Sequence, residues 1–404
     1  MTAIAEENTK TAQQKTVTAI SGVVDLGDGN GRGYLRTAGY RRSAGDIPIT
    51  PGQVRQHGLR AGDHIEGTAA VGQDRARQDG GRQDGGRQDG GRQGKSRPDR
   101  TLLTVESVSG LPAAQAGHRP RFDDLTPVYP SQRYRLEAGD QSRTARIIDL
   151  VSPIGKGQRG LIVAPPKAGK TTVLKTIAHA IATAYPDVQL MLLLVGERPE
   201  EVTDLRRTVR GEVIASTFDQ SPSDHIKAAE LAIERAKRLA ELGRDVVVML
   251  DSLTRLGRAY NLAAPASSRT LTGGVAVSAL QPPRQFLGAA RCLEEGGSLT
   301  ILSTALIDTG SQLDNVLFEE FKGTGNMELR LRRDLAEKRM FPAIDPLPSG
   351  TRREDLLMDP AEHAAVVSLR RALAALDSQH ALELLLDKTV APNEQFLRQV
   401  AATR

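Results

Sequence analysis

The sequence predicts an α/β chain built from two folded parts: a small all-β barrel, then a mostly parallel sheet with helices on both faces. Three observations carry this expectation. Thr18 to Val71 holds short apolar runs separated by glycines, the texture of a small barrel. From Ile147 onward, apolar runs alternate with helical stretches, which implies parallel strands joined by crossover helices. Between the two, Gln78-Asp79-Gly80-Gly81-Arg82 recurs as Gln83 to Arg87 and as Gln88 to Arg92. That composition cannot bury a core and predicts disorder.

Taken in order, residues 1–17 are polar and read as a disordered leader. The barrel is expected over 18–110. Its strands are Ser21-Gly22-Val23-Val24-Asp25-Leu26, Gly33-Tyr34-Leu35-Arg36 and Asp46-Ile47-Pro48-Ile49-Thr50. Leu102 to Val108 reads as a returning strand, which makes 73–100 an insertion with eight basic and five acidic residues. Residues 111–145, rich in proline, read as a connector, and 146–404 as the larger part. There the buried-strand candidates are Gly160–Val163, Gln189–Val195, Asp245–Leu250 and Leu299–Leu306. The stretch His225–Leu242 repeats apolar residues at Ile226, Ala229, Ala232, Ala236, Leu239 and Ala240, a helical period.

Composition narrows the function classes. The chain has 404 residues, 39% hydrophobic and 25% charged, with a net charge of +5. The mild excess of positive charge is compatible with a polyanionic partner. One cysteine, Cys292, excludes an internal disulfide framework and fits a reducing cytoplasm. The seven histidines have no zinc-site spacing. No apolar run reaches the roughly 18 residues of a membrane helix, so no membrane association is expected.

The strongest chemical signal is the run Gly160-Leu161-Ile162-Val163-Ala164-Pro165-Pro166-Lys167-Ala168-Gly169-Lys170-Thr171-Thr172. An apolar strand enters a tight loop, and Gly-Lys-Thr opens a helix. Backbone N–H groups at such a helix start hold phosphate oxygens, and the helix dipole favours the negative charge. Lys170 would reach the β/γ-phosphates and Thr171 would ligate Mg²⁺, so ATP and Mg²⁺ are the expected cofactors. Asp251 ends the apolar run from Asp245. A strand-end Asp by itself often caps a helix; downstream of a phosphate loop it suits the Mg²⁺ side of the site. Glu197 follows another apolar run and could orient and polarise water, while Glu200 and Glu201 suit the next helix start. Arg339 and Arg352 lie far downstream, and pattern alone does not separate either from a solvated surface arginine.

Several runs together resemble the Rho family of transcription terminators: Gly155-Lys156-Gly157-Gln158-Arg159-Gly160 through Thr171, Glu197 to Val202, Asp251-Ser252-Leu253-Thr254-Arg255, Leu271-Thr272-Gly273-Gly274-Val275, Asp308-Thr309-Gly310-Ser311 and Gly323 to Leu329. The resemblance implies a RecA-like P-loop ATPase motor domain behind an OB-fold (cold-shock-like) RNA-binding domain. It also implies a homohexamer ring that moves 5′ to 3′ on RNA and dislodges RNA polymerase. By position, Gly155 to Gly160, Lys167, Ala168, Gly169, Lys170, Thr171 and Thr172 would hold nucleotide, with Arg198 beside it and Phe341 stacked on adenine. Glu197 would be the base, Asp251 the Mg²⁺-side carboxylate, and Arg352 with Arg339 the cations offered to an adjoining subunit's ATP. RNA contacts would come from Gly31, Arg32, Gly33, Tyr34, Leu35, Arg36, Asp46, Ile47 and Pro48 in the barrel. In the motor they would come from Arg269, Thr270, Leu271, Thr272, Gly273 and Gly274, and from a second loop ending at Gln312.

The chain departs from the family pattern where aromatics are usual, at Arg32, Pro48 and Asp99, and at Gln312, where Lys is usual. Each base-stacking platform contributes about 1–3 kcal/mol, so primary RNA binding is expected to be weaker and more electrostatic. Gly196 also stands where many relatives carry Asp. The alternative reading is a divergent regulator that binds RNA or polymerase, with ATP mainly structural.

Overall fold

The computed structural model describes residues 16–27, 33–71, 100–271 and 273–402. Residues 1–15 of the expected leader, Gly31, Arg32 and residues 73–99 of the expected insertion, with its whole repeat, lie outside the described residues. The chain divides into two units, Met1–His118 and Arg119–Arg404.

The first unit is one antiparallel sheet. Its strands are β1 (Thr16–Asp25), β2 (Gly33–Arg36), β3 (Ile47–Ile49), β4 (His64–Val71), β5 (Arg100–Val108) and β6 (Leu111–Pro112), in the order β3-β2-β1-β4-β5-β6. β3 also lies against β5, which curls the sheet toward closure. Register shifts in the β4–β5 pair add to the coiling. The strand period is visible: Leu35, Ile47 and Ile49 enter a core with Val24, Ile65, Leu102 and Val108, while Tyr34 and Pro48 face out. Helix α1 (Pro51–His57) starts at a Thr50–Gln53 capping box and stops at left-handed Gly58.

Three boundaries differ from expectation, one being that β5 begins at Arg100, inside the expected insertion 73–100. β1 begins at Thr16, inside the expected leader. The expected connector is not featureless. It supplies β6 and three short 3₁₀ turns, and its strand β7 (Pro127–Val128) joins the sheet of the second unit. Its prolines suit short extended edge pieces.

The second unit is a nine-stranded sheet. It comprises β7, β10 (Arg159–Ala164), β11 (Gln189–Glu197), β12 (Glu212–Thr217), β13 (Asp245–Asp251), β16 (Arg291–Leu293), β17 (Ser298–Leu306), β18 (Met327–Leu331) and β19 (Ile344–Thr351). Two small ribbons stand apart: β8 (Arg133–Tyr134) with β9 (Ile154–Gly155), and β14 (Thr270–Leu271) with β15 (Val275–Ala276). The main order is β12-β11-β13-β17-β10-β18-β19, parallel from β12 through β18 and antiparallel at β18–β19. The central strands are near-continuous apolar runs because helices cover both faces. Leu190, Leu192, Val247, Met249 and Ile162 are buried against Leu174, Ile177 and Ile181 of helix α3 (Lys170–Ala184). The remaining long helices are α2 (Arg143–Val151), α4 (Pro199–Thr208), α5 (Pro222–Ala240), α6 (Leu253–Ala263), α7 (Val277–Gly288), α8 (Gln312–Lys322), α10 (Pro360–Ala374), α11 (Ser378–Lys388) and α12 (Asn393–Ala402), with the short α9 (Arg333–Glu337) before β19. Among the described residues no helix is long and apolar enough to cross a membrane.

Candidate functional site

Parallel strands deliver their C-terminal ends to one edge of the sheet, and β10, β11 and β13 carry the predicted residues there. β10 ends at Ala164 and α3 starts at Lys170. The loop between them turns through left-handed Lys167 (φ +68°) and Gly169 (φ +90°). Gly169 occupies the N-cap and has no side chain to satisfy the first-turn N–H groups of α3, so the helix start is open to an anion.

Lys170 reaches across β17 to both carboxylates. Its Nζ lies 3.2 Å from Glu197 Oε1 and also bonds Asp251 Oδ1. Thr304 of β17 donates to the same Asp251 oxygen at 2.7 Å. Arg255 Nη2 lies 3.5 Å from Glu197 Oε1. Glu197 and Asp251 are 3% and 1% exposed, so these cations offset the cost of burying two carboxylates. Burial pulls the Lys170 ammonium down, but Asp251 and Glu197 outweigh it and raise the net value. Burial, then the neighbouring Asp251 charge, pushes the Glu197 carboxyl above its usual range, while Lys170 and Arg255 pull the other way. Gly196 (φ +67°) makes this packing possible: a Cβ there would sit 3.1 Å from Arg255 Cδ. Arg198 follows Glu197 and is exposed, 3.5 Å from Glu201.

The antiparallel turn between β18 and β19 decides where the downstream arginines fall. The Leu331↔Ile344 pairing puts Arg339 and the half-exposed Phe341 on the phosphate-loop edge, whereas Met327↔Thr351 puts Arg352 at the opposite edge. Arg339 and Arg352 are therefore not brought together, contrary to the expected pair. Gly155 to Gly160 also lie at that opposite edge, before β10 rises about 20 Å to the loop. There Gly157 N–H donates to Thr300, Gln158 binds Asn326, and Lys156 pairs with Asp245 at 2.7 Å. Within one chain this run lies away from the phosphate loop, so the structure does not bring Gly155 to Gly160 together with Lys167 to Thr172.

The two expected RNA loops do converge. β14 and β15 turn through left-handed Gly273 and Gly274, and a Cβ on Gly273 would lie 3.2 Å from the Gln312 backbone. Arg269, Thr270, Leu271 and Gln312 are exposed; Thr272 lies outside the described residues. Helix α6, which follows Asp251, holds both loops. Asn261 donates to Gly274 O (3.2 Å) and accepts from Ala276 N (2.7 Å), and Arg258 grips Asp314 of α8 through two bonds of 2.7 and 2.6 Å.

In the barrel, the expected RNA surface shrinks. Tyr34 and Pro48 are exposed cross-strand neighbours. Leu35 and Ile47 are core residues, and Arg36 is 4% exposed, bonded to both Asp25 and Asp46 beneath the Tyr34 ring. Arg36 and Asp46 thus neutralise each other instead of facing solvent. Sequence reading missed Arg255, Thr304, Arg258 and Asn261. The signals available were hydroxyls inside the apolar β17 run and the three-residue spacing of polar residues after Asp251.

Comparisons with known proteins match both units. The nucleotide-binding domain of the ATP synthase alpha/beta family matches residues 144–351, and the RNA-binding domain of Rho termination factor matches residues 20–82. A transcription termination factor Rho of Streptosporangium roseum is 53% identical over 95% of this chain and 92% of its own length. That of Streptomyces lividans is 54% identical over 95% of this chain but 52% of its own, and that of Mycobacterium bovis is 52% identical over 97% and 62%. The chain thus spans about half to three-fifths of the length of the latter two relatives. Among solved structures, a prototypical ATPase from the type III secretion system of pathogenic bacteria aligns at TM-score 0.56 and 23% identity over 69% of this chain and 86% of its own. The assembled ATPase EscN from the type III secretion system of enteropathogenic E. coli aligns at 0.57 and 22% over 70% and 73%. Those two likenesses speak to the fold.

Proposed function

Because this chain belongs to the transcription termination factor Rho family, we propose that it is a cytoplasmic, RNA-dependent ATPase that translocates 5′ to 3′ along RNA as a homohexamer ring and releases the transcript from RNA polymerase. The observation that carries the reading is the division of the site. The phosphate loop, Glu197 and Asp251 stand at one edge of the sheet and Arg352 at the other. A cation from Arg352 reaches a nucleotide only when a second copy supplies the phosphate loop, as the arginine of an adjoining subunit does in phosphoryl transfer.

The residues fit Mg²⁺. Thr171 and Asp251 offer hard oxygen donors, and Asp251 Oδ2 accepts none of the described hydrogen bonds that fill Oδ1. The metal, when bound, supplies charge neutralisation on the phosphates. The protein's own part begins with Lys170, which exchanges Glu197 and Asp251 for phosphate oxygens. That exchange frees the Glu197 carboxylate to accept a hydrogen bond from the attacking water and hold it in line. The Arg255 charge favours the ionised form of Glu197 against its burial. The exposed hairpin at Arg269–Leu271 and Gln312 faces the RNA.

Hydrolysis by the purified chain with poly(C), poly(U) or mixed RNA, against none, tests the reading. RNA-stimulated hydrolysis that disappears in Glu197→Ala is expected. No stimulation by any RNA contradicts it. The regulator reading is favoured by one observation, the barrel's loss of Arg36 from its exposed face; unaltered termination in cells carrying Glu197→Ala would select it.

A further inference from the structure

The opposite edge of the sheet gathers more positive charge than Arg352 alone. Asn326 is the fastening point. Its side-chain oxygen accepts from Arg159 N (2.9 Å), its carbonyl accepts from Arg352 N (2.9 Å), and its own N–H donates to Arg159 O (2.9 Å). The Arg159 guanidinium then reaches Thr324 O and Ala290 O, both at 3.1 Å, which brings it beside Arg291. Arg291 is fixed by Ala289 O (3.2 Å) and by the Phe122 ring, 4.7 Å from its guanidinium carbon. Among the described residues none of the three arginines has a carboxylate partner. Nη2 of Arg159 and both Nη atoms of Arg291 and Arg352 have no described acceptor. Burial and the charges of Arg291 and Arg352 lower the Arg159 value, the mark of like charges facing one another. Three arginines held together without an anion repel; an anion among them turns that repulsion into charge-assisted hydrogen bonds.

We propose that Arg159 and Arg291 join Arg352 in a three-arginine site, set by Asn326, that grips the terminal phosphates of a nucleoside triphosphate seated in the phosphate loop of a second copy of this chain. The inference rests on the shared-site reading above and adds two phosphate-contacting residues to it. Lysines in these places would supply only point charges, whereas planar guanidinium groups match phosphate oxygens in pairs.

The test uses the full chain with Arg159→Gln, Arg291→Gln, Arg291→Lys and Arg352→Gln. Binding of a non-hydrolysable ATP analogue and of ADP is measured, and each Gln variant is also mixed with Lys170→Ala chains. Arg159→Gln and Arg291→Gln are expected to weaken analogue binding about tenfold or more, with ADP binding nearly unchanged and Arg291→Lys intermediate. Mixing with Lys170→Ala should restore hydrolysis, since one chain then brings the loop and the other the arginines. Restoration also shows that both variant chains fold. If Arg352→Gln behaves this way while Arg159→Gln and Arg291→Gln match wild type, the three-arginine site is overturned and the shared site stands. If mixing restores Arg352→Gln but not Arg291→Gln, Arg291 acts within its own protomer and the proposal is again overturned. If Arg352→Gln also binds and hydrolyses like wild type, the shared site itself fails.

Discussion

The proposed base, Glu197, would accept a proton only when ionised, and its surroundings work against that. Burial and Asp251 push its carboxyl up, with Lys170 and Arg255 opposing. When Lys170 turns to phosphate, Arg255 becomes the main cation left beside it. Arg255→Gln is therefore expected to raise the Glu197 value further. A base of higher pKa is ionised only at higher pH, so the acid limb of kcat against pH should move upward; an unmoved limb would deny Arg255 this role. Arg36 shows the opposite use of charge. Arg36→Ala leaves Asp25 and Asp46 without their shared cation, and the barrel should lose about 3 kcal/mol in urea unfolding. Tyr34→Ala should leave stability nearly intact and weaken RNA binding by about 1–3 kcal/mol, read by titration at fixed salt.

Among the elements, α6 is the one that touches everything. Arg255, Arg258 and Asn261 recur every third residue, which keeps them near one face. They reach Glu197, the Asp314 start of α8 and the Gly274 hairpin respectively. Arg258→Ala should lower RNA stimulation of hydrolysis by about 1–2 kcal/mol of coupling while basal hydrolysis persists; an equal loss of both would mean simple destabilisation. The phosphate loop was legible in sequence because strand, tight turn and Gly-Lys-Thr are contiguous and their chemistry is local. The placement of Arg339 and Arg352 was not, because a single antiparallel reversal at β18–β19 sends them to opposite edges. Arg36 misled because strand alternation puts it on the Tyr34 face, and only the fold shows Asp25 and Asp46 flanking it there. Thr304 was half legible: a hydroxyl in a buried strand needs a partner, but the partner lies 53 residues away.

On the scale of the whole molecule, the chain carries the phosphate loop and Glu197 at one sheet edge and Arg352 at the other. Two such edges can meet only between copies, so the proposed head-to-tail ring would use every site. The net charge of +5 and the exposed hairpin suit RNA on such a ring, and RNA affinity should fall steeply with salt, because the barrel offers one exposed aromatic, Tyr34, among its described candidates. The most direct measurement is the rate of ATP hydrolysis per protomer, with saturating RNA, as protein concentration is raised from dilute to concentrated. The rate per protomer should climb and then level off as assemblies form. A constant rate from a chain that stays monomeric throughout would contradict the account.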